Sequence, residues 1–211
     1  MSAAHIGIIV LAAGASTRMG QAKQLLRYKG ETLLRRAVRV ALDSQCRPVI
    51  VVLGAQAREL HAEVADLAAQ VVVNQTWAEG LSASIRCGLT ALEAATAGEA
   101  EAAVLMLCDQ PFVNAADIKR LVATYQAKHP LVVAAEYEAA GEQTRGVPAL
   151  FSRALFAELL ALRGAAGAKR VIARHAQQAI FIAVPEAAFD IDTPADYQDL
   201  QAAVICSQSC Q

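Results

Sequence analysis

Short apolar runs rich in β-branched residues alternate along this chain with segments whose apolar residues recur at helical spacing. That alternation makes a parallel sheet wrapped by helices the expected architecture. The expected strands are Ile6 to Ala12, Pro48 to Leu53, Val71 to Asn74, Ala103 to Cys108, Leu131 to Glu136 and Ala179 to Val184. Between them, Leu34, Ala37, Val38, Ala41 and Leu42 follow the helical period and form one stripe facing the sheet. Similar stripes run through Leu81, Ile85, Leu89 and Leu92, and through Ile118, Leu121, Val122 and Tyr125. Asn114 is placed to cap the latter helix, and Thr193 with Pro194 reads as the N-cap and first turn of a last helix ending near Val204. The stretch Ala94 to Ala102 reads as a surface connection, and Tyr137 to Val147, which holds GEQTRG, as a flexible loop over a cleft.

A chain of 211 residues suffices for one α/β domain with a sizeable core, so residues 1–205 are read as a single domain and 206–211 as a frayed tail. Lys and Arg number 19 against 20 Asp and Glu, which leaves no global field for nucleic acid or an anionic membrane. Any anion must be held by a local site. The run Ile6 to Ala13 is far shorter than the roughly 20 residues of a membrane span. The opening MSAAH lacks a basic secretory n-region, which points to the cytoplasm. The cysteines, Cys46, Cys87, Cys108, Cys206 and Cys210, form no CxxC pair and are read as reduced thiols, Cys87 and Cys108 as small buried hydrophobes. His5, His61, His129 and His175 show no metal-ligand spacing.

In such a sheet, ligands collect beyond the carboxyl ends of the strands. Four chemically loaded segments follow expected strand ends: Ala13 to Lys23, Asn74 to Ser84, CDQP at Cys108 to Pro111, and DIDTP at Asp190 to Pro194. In the first, Gly14 and Gly20 let backbone approach phosphate oxygens, and Arg18 and Lys23 supply charges that can clamp the same phosphates. The spacing is neither GxGxxG nor GxxxxGK[ST], which disfavours a dinucleotide fold and a Walker-type ATPase; an ordinary turn with two solvated cations is the plainer alternative. Asp109 should emerge at the end of a buried strand, where a carboxylate facing phosphates suits a hard cation. Asp192 could supply a second oxygen, with N-capping by Asp192 or Thr193 as its competitor, while Asp190 and Asp196 read as structural. Ser82 and Ser84 follow Gly80 at a helix start, where they could meet an anion or simply cap. Trp77 could stack on a base or anchor packing.

The segment LAAGASTRMGQAKQLL, Leu11 to Leu26, resembles the signature of the MobA-like nucleotidyltransferases, and within them the molybdenum cofactor cytidylyltransferases. NQTWAEGLSASIRCGL resembles that family's second nucleotide segment, LCDQP its metal motif, and GVPALF at Gly146 to Phe151 and DIDTPADY at Asp190 to Tyr197 its acceptor-side and C-terminal motifs. The resemblance implies a Rossmann-like three-layer sandwich of the nucleotide-diphospho-sugar transferase type. It also implies a nucleotide site formed by Leu11, Ala12, Ala13, Gly14, Ser16, Arg18, Lys23, Asn74, Gly80, Ser82 and Ser84. Arg18, Lys23 and Asp109 would be catalytic, and Asp109 and Asp192 would hold Mg2+ or Mn2+. The guanylyl branch carries Gly where this chain has Ala13 and Asp where it has Ala22, so the departures point to CTP.

The implied reaction is attack by a phosphate oxygen of molybdopterin on the α-phosphorus of CTP, with pyrophosphate leaving. It needs in-line placement and cations rather than a Ser, Cys or His nucleophile. A molybdenum hydroxylase or its chaperone would be the client. The rivals are the same transfer to a sugar or alditol phosphate, a non-catalytic carrier of the molybdenum cofactor, and an oxidoreductase that reuses the fold without a dinucleotide fingerprint.

Overall fold

The structure, a computed structural model, describes residues 5–139 and 141–208. Strand β1 (Ile6–Ala12) is followed by a small hairpin, β2 (Arg27–Tyr28) and β3 (Glu31–Thr32), and helix α1 (Leu33–Asp43). Then come β4 (Val49–Leu53), α2 (Ala57–Ala62), β5 (Gln70–Val73), α3 (Leu81–Ala95), β6 (Ala102–Leu107) and α4 (Ala115–Lys128). The chain continues through β7 (Val132–Ala139), β8 (Glu142–Ser152), α5 (Phe156–Leu160), α6 (Ala168–Arg174), β9 (Ala179–Ala183) and α7 (Pro194–Gln208). Seven strands form the main sheet in the order β5-β4-β1-β6-β8-β7-β9, parallel except where β8 runs against both neighbours.

Every residue of β1 and of β4 is buried, as befits strands covered on both faces. Alternation along β1 sorts its side chains. Ile8 and Val10 pack with Leu34, Val38 and Ala41 of α1 and with Ile118 and Leu121 of α4, whereas Ile9 and Leu11 pack with Ile85, Leu89 and Leu92 of α3. The apolar stripes of the sequence are therefore the faces that meet the sheet. Gly88 brings α3 close, since a Cβ there would lie 2.5 Å from Ile9 Cγ2 and 2.8 Å from Val52 Cγ2. A third apolar cluster, Met19, Leu26, Tyr28, Leu33, Ile191 and Leu200, ties the loop after β1 to the hairpin and to α7.

Asn114 caps α4 as expected, in a capping box with Asp117. The start of α7 is capped reciprocally. Thr193 Oγ1 accepts from Asp196 N at 3.3 Å, and Asp196 Oδ2 accepts from Thr193 N at 2.7 Å and Asp192 N at 2.9 Å. Helix α7 extends past Val204, and the rest of the tail expected at 206–211 lies outside the described residues.

One segment departs from the expected pattern. Tyr137 to Val147 is not a loop: it is the outer half of a hairpin, with Tyr137 paired to Thr144 and Ala139 to Glu142. The strand β8 was hidden by Pro148, a residue that central strands reject. The register steps from Ala134↔Ala149 to Ala135↔Gly146, so Val147 and Pro148 stand outside the ladder in a bulge.

Candidate active site

From β1 the chain works outward through β4 to β5, then returns to β6 on the other side of β1. The carboxyl ends of β1 and β6 thus flank the switch point, where an open α/β sheet leaves a crevice. A cavity of about 360 Å³ lies there, lined by Leu11 to Gly14 from the end of β1, by Cys108 and Asp109 from the end of β6, and by Trp77, Gly80, Leu81 and Ser84.

The loop that leaves β1 is wound around Gln24, to which the sequence motifs assigned no role. Gln24 is 1% exposed and donates through Nε2 to Ala12 O at 3.1 Å and Gly14 O at 2.7 Å. Its Oε1 accepts from Ser16 Oγ at 3.2 Å, and that hydroxyl accepts from Lys23 N at 3.1 Å. Ser16 therefore shapes the loop rather than lining the cavity. A buried amide spending three bonds on one loop fixes where its carbonyls point. The available signal was a Gln wedged between Lys23 and the apolar pair Leu25 and Leu26. From behind, Ala55 N donates to Ala13 O at 3.2 Å, and a Cβ on Gly54 would lie 2.6 Å from both Ala13 O and Trp77 Cβ. The backbone at Ala13 is thus packed against a position that has room only for glycine.

Opposite this loop the charged residues converge. Lys23 Nζ lies 2.5 Å from Asp109 Oδ2 and 2.8 Å from Asp192 Oδ1, and Arg18 donates to Asp192 Oδ2 at 2.8 Å. Desolvation alone would lower the pKa of Lys23, but the charge and hydrogen bond of Asp109, joined by the bond to Asp192, outweigh it and raise the pKa. Asp192 is held below its ordinary range: partial desolvation pushes it up, and Lys23 and Arg18 pull it further down. Asp190 keeps solvent access, yet desolvation and then the charge of Asp109 push it up to about 6. Burial, and after it Asp109, raises the Cys108 thiol, so Cys108 is a neutral wall of the cavity.

These carboxylates also fit a divalent cation. Asp109 Oδ1 is buried and makes no hydrogen bond among the described residues, while Oδ2 faces Asp192 across the Lys23 ammonium. A hard cation takes oxygen ligands of this kind. No group of three or more acidic, His or Cys side chains is arranged for a metal among the described residues, so two carboxylates would need substrate oxygens to complete the shell.

The remaining expected residues divide. Leu11, Ala12, Ala13, Gly14, Lys23, Gly80, Ser84 and Asp109 line the cavity, and Arg18 and Asp192 stand at its charged rim. Ser82 does not face it: the residue is fully buried and its hydroxyl donates to Gly164 O at 2.8 Å and accepts from Arg86 at 3.2 Å. Burial of the first turn of α3 under the segment around Gly164 accounts for that turn away. Asn74 is likewise one step removed, donating to Ser84 Oγ at 3.1 Å and accepting from Thr76 N at 3.0 Å. Trp77 is both anchor and wall, packed in the core on one side and lining the cavity on the other. Asp196 is structural as expected, serving the cap of α7.

Comparison with known proteins identifies the family. The MobA-like NTP transferase domain matches residues 8–179. The chain belongs to the MobA-like NTP transferase family. The MobA-like chain is 33% identical over 119 residues to nicotine blue oxidoreductase of Paenarthrobacter nicotinovorans, covering 56% of each protein. It is 38% identical over 114 residues to a probable molybdenum cofactor guanylyltransferase of Opitutus terrae, covering 53% of this chain and 52% of that protein. To the molybdenum cofactor cytidylyltransferase of Escherichia coli K12 it is 34% identical over 89 residues, covering 42% and 46%. The chain thus spans about half the length of the curated relatives it matches. Among solved structures, Rv0371c of Mycobacterium tuberculosis in complex with manganese is 32% identical, with a TM-score of 0.78 over 94% of this chain and 99% of that one. Among the described residues, no helix of this MobA-like domain is long and apolar enough to cross a membrane.

Proposed function

We propose that this nucleotidyltransferase moves CMP from CTP to the terminal phosphate of molybdopterin. One observation carries the reading: Lys23, Arg18, Asp109 and Asp192 meet at the switch-point crevice, beside a glycine-containing loop fixed in place by Gln24. A triphosphate in the cavity would meet Arg18 and Lys23, whose charges offset repulsion between two phosphate groups. A phosphate oxygen of the acceptor forms a bond to the α-phosphorus of CTP as the bond to the β-phosphate bridge breaks and pyrophosphate leaves. That oxygen carries no proton at neutral pH, so the chemistry needs no base. Asp109 and Asp192 would hold a magnesium or manganese ion, which when bound supplies charge neutralisation at the phosphates. Cytosine as the base rests on Ala13 and Ala22, and the product would pass to a molybdenum hydroxylase or its chaperone.

The test is to follow pyrophosphate with magnesium, molybdopterin and each of the four NTPs. CTP is expected to outcompete GTP; equal turnover removes the cytidylyl assignment, and no pyrophosphate with any NTP removes transfer to molybdopterin. Transfer to a sugar or alditol phosphate would appear as pyrophosphate only when that acceptor replaces molybdopterin, and a carrier would bind the cofactor without consuming CTP. The likeness to nicotine blue oxidoreductase favours a second reading, an oxidoreductase reaction. A change in the absorbance of nicotine blue on incubation with the protein and a redox partner, without pyrophosphate formation, would establish it.

A further inference from the structure

Asp109 has a second neighbourhood, beyond the residues that line the cavity, which includes Gly146 at the head of the GVPALF motif and two side chains, Tyr137 and Lys169, that belong to no motif. The outer half of the β7–β8 hairpin rises beyond the carboxyl end of β6. On it, Tyr137 is 7% exposed, and its hydroxyl makes no hydrogen bond among the described residues. Lys169, exposed on the first turn of α6, has no ion-pair partner among the described residues either. The two side chains come together over Gly146, where a Cβ would lie 2.8 Å from Tyr137 Oη and 3.0 Å from Lys169 Cε. Any side chain at 146 would push both away, so the glycine keeps a recess for them.

The recess is joined to the reaction centre through Gln110, the neighbour of Asp109, whose Nε2 reaches the carbonyl of Val147, next to Gly146, at 3.4 Å. Lys169 is near enough to Asp190 for its charge to hold that carboxyl down, against the desolvation and the Asp109 charge that push it up. Tyr137 feels Asp190 as well, after burial, as an upward push on its hydroxyl. Asp190 is therefore within electrostatic reach of Asp109, of Tyr137 and of Lys169. Next to Asp109 the buried Gln110 gives its Nε2 to Ala187 O at 3.0 Å and to Val147 O at 3.4 Å, while its Oε1 has no partner among the described residues. On the nucleotide side, by contrast, Arg18 and Lys23 are both bonded to carboxylates.

An ammonium and a phenolic hydroxyl without partners, converging over a glycine, offer charge-assisted hydrogen bonds to an anion with several acceptor oxygens. The nucleophile in a nucleotidyl transfer to phosphate is such an anion, and it must lie in line with the α-phosphorus, opposite the leaving pyrophosphate. We propose that Lys169 and Tyr137, over Gly146, form the subsite that binds the phosphate monoester of the acceptor. Lys169 offsets the negative charge that Asp190 would otherwise present to the incoming dianion. This assignment rests on the nucleotidyl-transfer reading of the same centre and names the residues that would hold the acceptor.

The test separates the two. With the nucleotide site filled by the α,β-methylene analogue of CTP and magnesium, binding of phenyl phosphate is measured calorimetrically to the full chain and to Lys169→Ala, Lys169→Arg and Tyr137→Phe. Loss of one charge-assisted bond predicts about tenfold weaker binding for Lys169→Ala, retention by Lys169→Arg, and a smaller loss for Tyr137→Phe. Binding of the CTP analogue itself should be the same in all four, which also reports that the variants are folded. If the full chain does not bind phenyl phosphate, or binds it no better than Lys169→Ala does, the subsite is wrong. If phenyl phosphate binding depends on Lys169 but molybdopterin and CTP yield no pyrophosphate, the subsite stands and the molybdopterin reading falls. Pyrophosphate formation with an unaltered acceptor KM in Lys169→Ala would leave nucleotidyl transfer standing and remove the subsite.

Discussion

The two sides of Asp109 solve opposite problems. On the nucleotide side the charges neutralise one another: Lys23 spans Asp109 and Asp192, and Arg18 holds the free oxygen of Asp192. On the hairpin side, Lys169 and the Tyr137 hydroxyl, both donors, have no partner among the described residues. A ligand entering the first side must break internal ion pairs before it gains its own, whereas a ligand entering the second side meets groups already waiting. Partly buried ion pairs recover only part of their desolvation cost, so exchanging one partner for another is cheap where removing it outright is not. The nucleotide half is built to exchange partners and the acceptor half to receive one.

The sharpest way to break that contrast is at the residue both sides share. Asp109→Ala should lower turnover by more than about 3 kcal/mol in transition-state stabilisation, with no rescue at any magnesium concentration, because it removes the one carboxylate held rigidly at the end of a buried strand. Pyrophosphate release titrated against magnesium checks it, and appreciable activity at high magnesium would mean that Asp109 serves only as the counter-ion of Lys23.

Lys23→Ala comes next, with turnover expected to fall by about 3 kcal/mol for a cation directed at transition-state charge. The exchange view adds a gain. The Lys23 ammonium lies between the two carboxylates that would hold the ion, so removing it should tighten Mn2+ binding to the nucleotide-free protein while nucleotide binding weakens. Electron paramagnetic resonance of free Mn2+ reads the first effect. An affinity for Mn2+ unchanged or weaker in the variant would show that Lys23 supports the carboxylates instead of competing with a metal.

These predictions use residues that the sequence exposed, and the reason they were legible is local. Arg18 and Lys23 lie on the loop that leaves β1, Asp109 just past β6 and Asp192 on the loop before α7, and each was flagged by its own short motif even though they meet only in the fold. The alternation of apolar runs likewise located β1, β4, β5, β6, β7 and β9 to within a few residues: β1 and β4 are buried throughout, and the partly exposed edge strands β5 and β9 still carry short β-branched apolar runs. What stayed hidden depends on partners far along the chain. Ser82 looked like an anion donor until Gly164, distant in sequence, took its hydroxyl. The importance of Gln24 lies in carbonyls it reaches by folding back, and Pro148 disguised a central strand as a loop, because nothing local announces a bulge. Lys169 and Tyr137 belong to no shared motif; only the hairpin and α6 bring them together.

Asp192 tests whether the nucleotide side has any purely structural member. Its competitor role, capping α7, is already filled by Thr193 and Asp196, so the carboxylate is committed to Lys23 and Arg18. Asp192→Ala should therefore cost roughly tenfold in turnover, recoverable with excess magnesium or manganese, since the ligand lies on a loop and water can replace it. Its melting temperature should stay near that of the unaltered protein, whereas Thr193→Ala should lose about 0.5–2 kcal/mol of stability as a helix cap. An Asp192→Ala protein with an unaltered magnesium profile would take that residue out of the metal site.

The smallest effect is expected where the sequence motif placed base choice, at Ala13. Its methyl group does not stand free in the cavity: a Cβ on Gly54 would lie 2.8 Å from Ala13 Cβ, so the methyl is packed backwards against that glycine while the neighbouring carbonyl is tied to Ala55 N. Removing the methyl changes how firmly the loop is seated more than what a base touches, and a single methyl is worth only about 1–3 kcal/mol even when it contacts the ligand directly. Ala13→Gly is accordingly expected to shift the ratio of kcat/KM for CTP over GTP by less than about tenfold, with both values falling slightly because a freer backbone must be ordered on binding. Substitution of Gly54 by Ala should do more, since its Cβ would press on Ala13 O and Trp77 Cβ at 2.6 Å and move the cavity wall itself. Competition between CTP and GTP in the pyrophosphate assay measures both variants. Full inversion of base preference by Ala13→Gly alone would show that the methyl contacts the base directly, whereas a larger loss in Gly54→Ala than in Ala13→Gly would place base discrimination in the position of the loop.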